Sequence, residues 1–475
     1  MKPVRTRFAP SPTGFMHVGN FRTGLFAWLL ARHYGGTFIL RLEDTDKKRE
    51  VEGSDEHIMK CFEVLGLPWD EGIKVGGPYA PYRQSERLES YTDWARVLID
   101  AGRAYADPYT EEDVQKFREE ALGNKKPFLY RNHRPENPPK WEPGMPLRFK
   151  SDPKAYQWHD VVAGDLHTGP EVIDDFILIK SDGFPTYNFA HIIDDHEMQV
   201  SHVIRGQEFL ASMPNYLNLY EALEFEVPVM ATMPHILKAD GKKKMGKRDG
   251  AKDVLDYFRE GILPEALVNF ISSLGWNDGT EQEIFTKQEL IEKFSLERVQ
   301  RSGARFDEAR LHWMNGVWIR SLNVDELYAR CRNFWPKSAD AYDDAYKTRV
   351  LGLLQERLKY FSEIPMLSGF FFEDLPINTE LVDRNKQLKK FSRDELKELL
   401  IKAQASLEQS DFSTADLTER LNALLDATGQ KPGVLFSIIR IATTWSPSSP
   451  GLADTLAVLG KDICLRRLGT SLAAL

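Results

Sequence analysis

The sequence predicts a two-part architecture: an α/β half built on a doubly wound parallel sheet and interrupted by an insertion, followed by an all-α C-terminal half. Three observations predict it. The chain opens on a strand–turn–helix–strand succession. A Pro-rich stretch, Arg134-Pro135-Glu136-Asn137-Pro138-Pro139-Lys140, set among short mixed segments, then interrupts the α/β pattern. Beyond about residue 320 nearly every segment carries the 3.6-residue periodicity of a buried helix face.

Residues 4–9 form a strand, and Pro10-Ser11-Pro12-Thr13-Gly14 ends it with turn chemistry. A helix follows, because Phe21, Leu25, Trp28 and Leu29 recur at the spacing of one buried face. Gly35-Gly36 closes it, as a helix C-terminus prefers. Residues 38–42 are a second strand that empties into the acidic loop Glu43-Asp44-Thr45-Asp46. Ligands of doubly wound sheets sit beyond the carboxyl ends of such strands. After the insertion the parallel pattern is expected to resume at Phe176-Ile177-Leu178-Ile179, continue over 200–204 and pass into a helix over 216–223. Residues 254–319 read as helical with breaks at Gly275 and Gly303. In the C-terminal half Leu354, Leu358 and Phe361 mark one stripe, and Leu396, Leu399 and Leu400 another. No internal repeat or low-complexity tract is present.

With 475 residues, 42% of them hydrophobic, the chain supplies cores for several domains. It holds no apolar run of the roughly 18 residues that a membrane span needs, and the N-terminus lacks the apolar stretch of a signal peptide. Cys61, Cys331 and Cys464 lie far apart, which gives neither a CxxC zinc pair nor a disulfide framework. A reducing, cytoplasmic setting is expected. The net charge of −9 excludes a protein that coats polyanions without selection, but not an enzyme with clustered basic residues.

Two segments carry phosphate chemistry. Arg7-Phe8-Ala9-Pro10-Ser11-Pro12-Thr13-Gly14, followed by His17-Val18-Gly19-Asn20, feeds a turn into a helix N-terminus. Backbone N–H groups and the positive end of the helix dipole suit a phosphate there. A histidine can donate to a phosphoryl oxygen, and Gly19 lets a nucleotide approach the backbone. Read alone, this is equally an ordinary βα turn with a surface histidine. Far downstream, Lys242-Lys243-Lys244-Met245-Gly246-Lys247-Arg248 gathers five cations around a glycine. That suits a polyphosphate clamp, although a charge run alone is more often a solvated loop.

In this order the two segments resemble the paired signatures of class I aminoacyl-tRNA synthetases. The full opening string, with Asn20 closing the first signature, resembles the glutamyl branch in its bacterial form. Further strings match in order: Arg41-Leu42-Glu43-Asp44-Thr45-Asp46, Asp182-Gly183-Phe184-Pro185-Thr186-Tyr187, Asp194-Asp195-His196, His202-Val203-Ile204-Arg205-Gly206-Gln207-Glu208 and Leu274-Gly275-Trp276. The motif match ends near residue 320; beyond it the likeness is one of helical arrangement.

The resemblance implies a Rossmann-like catalytic domain over 1–104 and 176–240, with an inserted acceptor-binding domain over 105–175. It implies a signature-loop and stem-contact domain over 241–320 and an all-α anticodon-binding half over 321–475. The implied activity is glutamate–tRNA ligation: glutamate is activated with ATP and Mg²⁺ and moved to the terminal adenosine of tRNA(Glu). His17, Lys244 and Lys247 are expected on the triphosphate. Gly19, Asn20, Glu208 and Leu237 are expected to complete the ATP site. Arg7, Ala9, Ser11, Glu43, Tyr187, His191 and Arg205 are expected around glutamate, with Arg357 reading the anticodon. Arginine forks suit carboxylates, and Ser11 and Glu43 match the positions that hold the amino group. A monomer is expected, with no membrane partner.

No metal beyond Mg²⁺ is expected. The spacing of His191, His196 and His202 does not share one helix face. Some relatives carry a cysteine-rich zinc knuckle where this chain reads Ala104-Tyr105-Ala106-Asp107-Pro108-Tyr109. The chain departs from the pattern at Gly246, where a serine is usual, at His191, where some relatives have asparagine, and at Gln207-Glu208, where Glu-Glu is commoner. The three consecutive lysines leave the register of the second signature open. A glutamyl-queuosine synthetase would lack the helical half, and a glutaminyl enzyme would carry β-barrels there. The readings left beside the first are an enzyme that also charges tRNA(Gln) and a nucleotide-binding regulatory homologue without activity.

Overall fold

Every residue of the first strand is buried, as a central strand covered on both faces must be. The computed structural model describes residues 3–246, 252–446 and 448–475. These fall into two units, Met1–Tyr257 with Pro264–Glu308, and Phe258–Leu263 with Ala309–Leu475.

The first unit opens with β1 (Arg5–Phe8), α1 (Val18–His33), β2 (Thr37–Leu40), α2 (Ser54–Val64), β3 (Glu71–Gly72) and α3 (Leu88–Asp100). It continues with β4 (Ala104–Ala106), α4 (Glu111–Gly123), β5 (Leu147–Phe149), β6 (Tyr156–Asp160), β7 (Gly164–Thr168) and β8 (Ile177–Ile179). Then come α5 (Tyr187–Glu197), β9 (His202–Gly206), α6 (Met213–Ala222), β10 (Val229–Met233) and β11 (Ile236–Leu237). After these the chain forms α7 (Val254–Arg259), α8 (Pro264–Ser272), α9 (Lys287–Lys293) and β12 (Ala304–Arg305).

The main sheet has seven strands in the order β3-β2-β1-β9-β10-β6-β7. All neighbours are parallel except β6 and β7. Strand β1 pairs with β2 from Arg5↔Thr37 to Phe8↔Leu40. Helix α1 covers it, with Phe21, Leu25, Trp28 and Leu29 all buried. Gly36 follows, and a Cβ there would collide with the Val4 carbonyl oxygen. That oxygen accepts the N–H of Thr37 at 2.9 Å and starts the β1–β2 ladder.

One expectation is corrected. Residues 177–179 do not resume the parallel sheet. They form β8, antiparallel to β5 through Leu147↔Ile179, in a separate sheet of order β4-β5-β8. A three-residue apolar run reads alike in either kind of sheet. The edge of the main sheet is supplied instead by β6 and β7, from inside the expected insertion. Buried Asp160 holds them there: its carboxylate accepts the N–H and hydroxyl of Thr232 at 3.0 and 2.6 Å, and the N–H groups of Val162 and Ala163.

Every regular element among the described residues of the second unit is a helix. Leu396, Leu399 and Leu400 are buried on the Arg393–Glu408 helix. Asn315 ties in residues 258–263, its Oδ1 accepting the N–H of Leu263 at 2.8 Å. The stripe at Leu354, Leu358 and Phe361 is buried but not one helix. The Asp344–Leu354 helix stops at Leu354, and the Gln355 side chain turns to donate to Ile319 O and Leu322 O at 2.9 and 2.8 Å. Among the described residues no helix is long and apolar enough to cross a membrane.

Replacing Gly36 by alanine forces the β1–β2 ladder apart. We expect the thermal midpoint to fall by an amount equivalent to about 1–3 kcal/mol, the usual cost of overpacking. An unchanged melting curve would show that the close approach to Val4 is unimportant.

Candidate active site

A cavity of about 430 Å³ opens beyond the carboxyl ends of β1 and β9. Arg7, Ala9 and Ser11 line it from the end of β1 and its following turn, and Glu43 from the loop after β2. Tyr187 enters from the start of α5, and Arg205 and Glu208 from the end of β9 and just after it. His17, Gly19 and Asn20 line it from the head of α1, and Lys244 from the second signature. This placement at strand ends follows from the doubly wound sheet.

Beneath one end lies a buried ionic cluster. Arg7 Nε is 3.0 Å from Asp195 Oδ1, and Arg41 Nη1 is 2.9 Å from the same oxygen. Arg41 also reaches Glu43 at 2.9 Å and Asp194 at 3.6 Å. Asp194 in turn accepts from Arg87 Nε, Gln84 Nε2 and the Tyr91 hydroxyl at 2.7, 2.7 and 2.9 Å. All these groups are buried, so each charge depends on its partners. Burial alone would raise Asp195, but Arg7 and Arg41 override it and hold its carboxyl down at about 2. Burial also works against Arg7, yet Asp195 raises its pKa. Glu43 is the group in which burial wins: its carboxyl is pushed up to about 7 despite Arg41 and Arg7.

Arg205 is placed differently. It is buried, and among the described residues no carboxylate pairs with it. Its guanidinium lies 5.0 Å from the Tyr216 ring centre, Nη2 touches the Met213 sulfur, and Nε lacks a hydrogen-bond partner. A buried cation without an anion is poised for an anionic ligand. Tyr187 stands between His191 and Phe209, with ring centres at 4.7 and 5.1 Å.

At the other end His17 caps α1. Its Nδ1 accepts the Gly19 N–H at 3.1 Å. In the neutral ring the proton then sits on Nε2, which becomes a donor. Lys244 Nζ lies 3.9 Å from Glu208 Oε2, and the Lys244 backbone bridges Leu237. Buried Arg22, one turn into α1, donates to Pro234 O and to Leu274 O, the latter at 3.0 Å. Burial lowers its pKa to about 10.

Some expected residues stand apart from the lining. Leu237 contributes through its backbone bridge. His191 lies behind Tyr187, with Nδ1 2.7 Å from Tyr187 O, and burial lowers its pKa to about 3. His196 stacks on Phe225 and His202 bonds Ser201 Oγ, so the three histidines do not converge. Lys247 lies outside the described residues. Arg357 is exposed in the turn after Leu354, and its charge lowers the pKa of Arg440, which burial already depresses. Sequence reasoning gave Arg41, Asp194 and Asp195 no role and passed over Arg22. The available signal was Arg41 itself, a charge at the end of the apolar run Phe38-Ile39-Leu40.

Comparison with known proteins matches both halves of the chain. The family model "tRNA synthetases class I (E and Q), catalytic domain" matches residues 3–313, and "Anticodon binding domain" matches 326–472. A glutamate–tRNA ligase of Dehalococcoides mccartyi is 40% identical over 480 residues, 99% of this chain and 98% of the relative. One from Herpetosiphon aurantiacus is 40% identical over 493 residues, 100% of this chain and 98% of the relative. The crystal structure of a glutamate tRNA ligase from Elizabethkingia meningosepticum, in complex with its amino acid, superposes with a TM-score of 0.88. It shares 32% identity, with 100% of both chains covered.

Asp195→Asn leaves Arg7 and Arg41 buried without their shared anion. We expect a loss of about 3–5 kcal/mol, as when one partner of a buried pair is removed, read as a lower urea midpoint at pH 7. Because the folded pKa of Asp195 is depressed, its contribution is present above about 3.8 and is lost as pH falls towards 2. An Asp195→Asn variant as stable as the parent at pH 7 would refute the pairing.

Proposed function

Because the chain belongs to the class I aminoacyl-tRNA synthetases for glutamate and glutamine, we propose that the cavity is where it activates glutamate with ATP before loading tRNA(Glu). The chain is a glutamate–tRNA ligase. The observation that carries the site reading is one cavity lined both by the two signatures and by Arg205, a buried cation that no carboxylate among the described residues pairs with.

An α-carboxyl group with a pKa of about 3.5 is ionised at neutral pH, so the nucleophile needs no base. Its oxygen attacks the α-phosphorus, the bond to the bridging oxygen breaks, and pyrophosphate leaves. Catalysis is then positioning and stabilisation of phosphoryl charge. His17 Nε2–H and Lys244 Nζ are assigned to the phosphates, and Lys247 with them. Gly19, Asn20, Glu208 and Leu237 are assigned to the nucleotide. Mg²⁺ bound with ATP neutralises phosphate charge. Glu208 offers a carboxylate at that end, and an ion held mainly by phosphates and waters needs only one or two. In the second step a ribose hydroxyl of the terminal adenosine, by family likeness the 2′-OH, attacks the acyl carbon and AMP leaves.

For glutamate, Arg205 and Tyr187 are assigned to the side-chain carboxylate. Ser11 and Glu43 are assigned to the ammonium, with Arg7 and Ala9 framing the pocket and His191 acting on it from behind Tyr187. Arg7 supports this indirectly, since its own fork is held by Asp195. Arg357, exposed near the charge of Arg440, is assigned to an anticodon base. The reading extends to a monomer in a cytoplasmic, reducing setting, which the three unpaired cysteines suit.

ATP–pyrophosphate exchange with glutamate and cognate tRNA tests the assignment. Lys244→Ala should lower exchange by on the order of 10²-fold, the scale for losing one charge-stabilising group; full activity would remove Lys244 from the phosphate site. Charging tRNA(Glu) and tRNA(Gln) side by side separates a selective enzyme from one that serves both.

Glu43 sets a pH dependence. Ionised, it accepts the ammonium of glutamate; protonated, it does not. With its carboxyl near 7, kcat/KM for glutamate should fall as pH drops through about 7, and Glu43→Gln should flatten that limb. A profile level from pH 8 to 6 would refute the role.

A further inference from the structure

His57, on α2 and outside the cavity lining, faces the end of the turn before α1 on one side and the segment after the second signature on the other. Its Nε2 lies 2.7 and 2.8 Å from the two carboxylate oxygens of Asp253. Its Nδ1 lies 3.4 Å from the Met16 backbone nitrogen, one residue before His17. The Asp253 backbone bridges His17 itself, and Val254 N–H donates to Met16 O at 3.0 Å. Asp253 Oδ1 also accepts the Leu255 N–H at 2.8 Å, which fixes the start of α7. Phe15 packs on the imidazole with ring centres 4.7 Å apart. One imidazole thus joins the turn of the first signature to the segment that follows the second.

We propose that His57 is a positioning residue for adenylate formation, holding Met16 and Asp253 and through them the ring of His17. Neutral imidazole suits both bonds: Nδ1 accepts from Met16, so Nε2 carries the proton towards Asp253. Cys61 completes a His/Cys/Asp group close enough to hold a metal ion. Here both ring nitrogens are already engaged, and burial followed by the charge of Asp253 pushes the Cys61 thiol up, away from the thiolate a metal needs. The trio is therefore read as a hydrogen-bonded clamp. Because a small displacement of a catalytic group can cost about 10²-fold, a group acting only through His17 has a measurable effect.

The proposal rests on the role given to His17, and the test separates the two. Exchange is measured on the full chain with glutamate, ATP and cognate tRNA for His17→Ala, His57→Phe, His57→Gln, Asp253→Ala and the double variant His57→Phe/Asp253→Ala. His57→Phe keeps the ring packed on Phe15 and loses both bonds; His57→Gln keeps a donor towards Asp253. We expect His57→Phe to lower kcat by about 10- to 100-fold with KM for glutamate unchanged, and His57→Gln to recover most of it. The double variant should be no slower than His57→Phe alone, as coupled partners behave. If His17→Ala is impaired while His57→Phe is fully active, the clamp alone fails; if His17→Ala is fully active, the role of His17 fails first. Equal losses in the Phe and Gln variants, additive losses in the double variant, or one bound zinc per purified chain would each overturn the proposal.

Discussion

Asp195 takes the charge of two arginines, Arg7 and Arg41, in a buried site. Much of the proposed active-site cavity depends on that arrangement. Arg7 stands at the end of β1, Arg41 just past β2 and Asp195 on α5, so the cluster fixes two central strands and a crossover helix at the point where the sheet opens. A buried pair is weak evidence for stability, since desolvation offsets most of the attraction. Its value here is placement. With Arg7 held by Asp195 and Glu43 held by Arg41, the cavity keeps a cation in Arg205 that no carboxylate among the described residues pairs with.

The two ends of the cavity use different physics. The end proposed for the phosphates offers fixed backbone donors, the head of α1 and a histidine whose tautomer is set by the Gly19 N–H. It needs no tuned base, because its nucleophile arrives ionised. The amino-acid end relies on side-chain charge counted within a buried volume, where an unmatched carboxylate or cation is costly. In the proposed reading, selectivity between glutamate and its uncharged amide follows from that count.

Much of this was legible in the sequence. The first βαβ succession is where strand and helix periodicity place it, because α1 is long and buries Phe21, Leu25, Trp28 and Leu29 at helical spacing. The two signatures and the string around Arg205 do line one cavity. Two things were hidden. The pairing of residues 177–179 and 156–168 depends on partners far along the chain and on Asp160, whose four acceptor bonds no local pattern announces. The bonding of Arg7 to Asp195 spans 188 positions, and an arginine's partner cannot be read from its own neighbours. His57 belongs to the same class: its bond to Asp253 crosses 196 positions.

The claim that charge balance sets substrate choice is tested most directly at Arg205. The ratio of kcat/KM for glutamate to that for glutamine is measured in pyrophosphate exchange for the parent chain and for Arg205→Met. A site built around an uncompensated cation should lose preference by on the order of 10²-fold or more when the cation goes, mainly through slower use of glutamate. An unchanged ratio, with both substrates slowed alike, would contradict it.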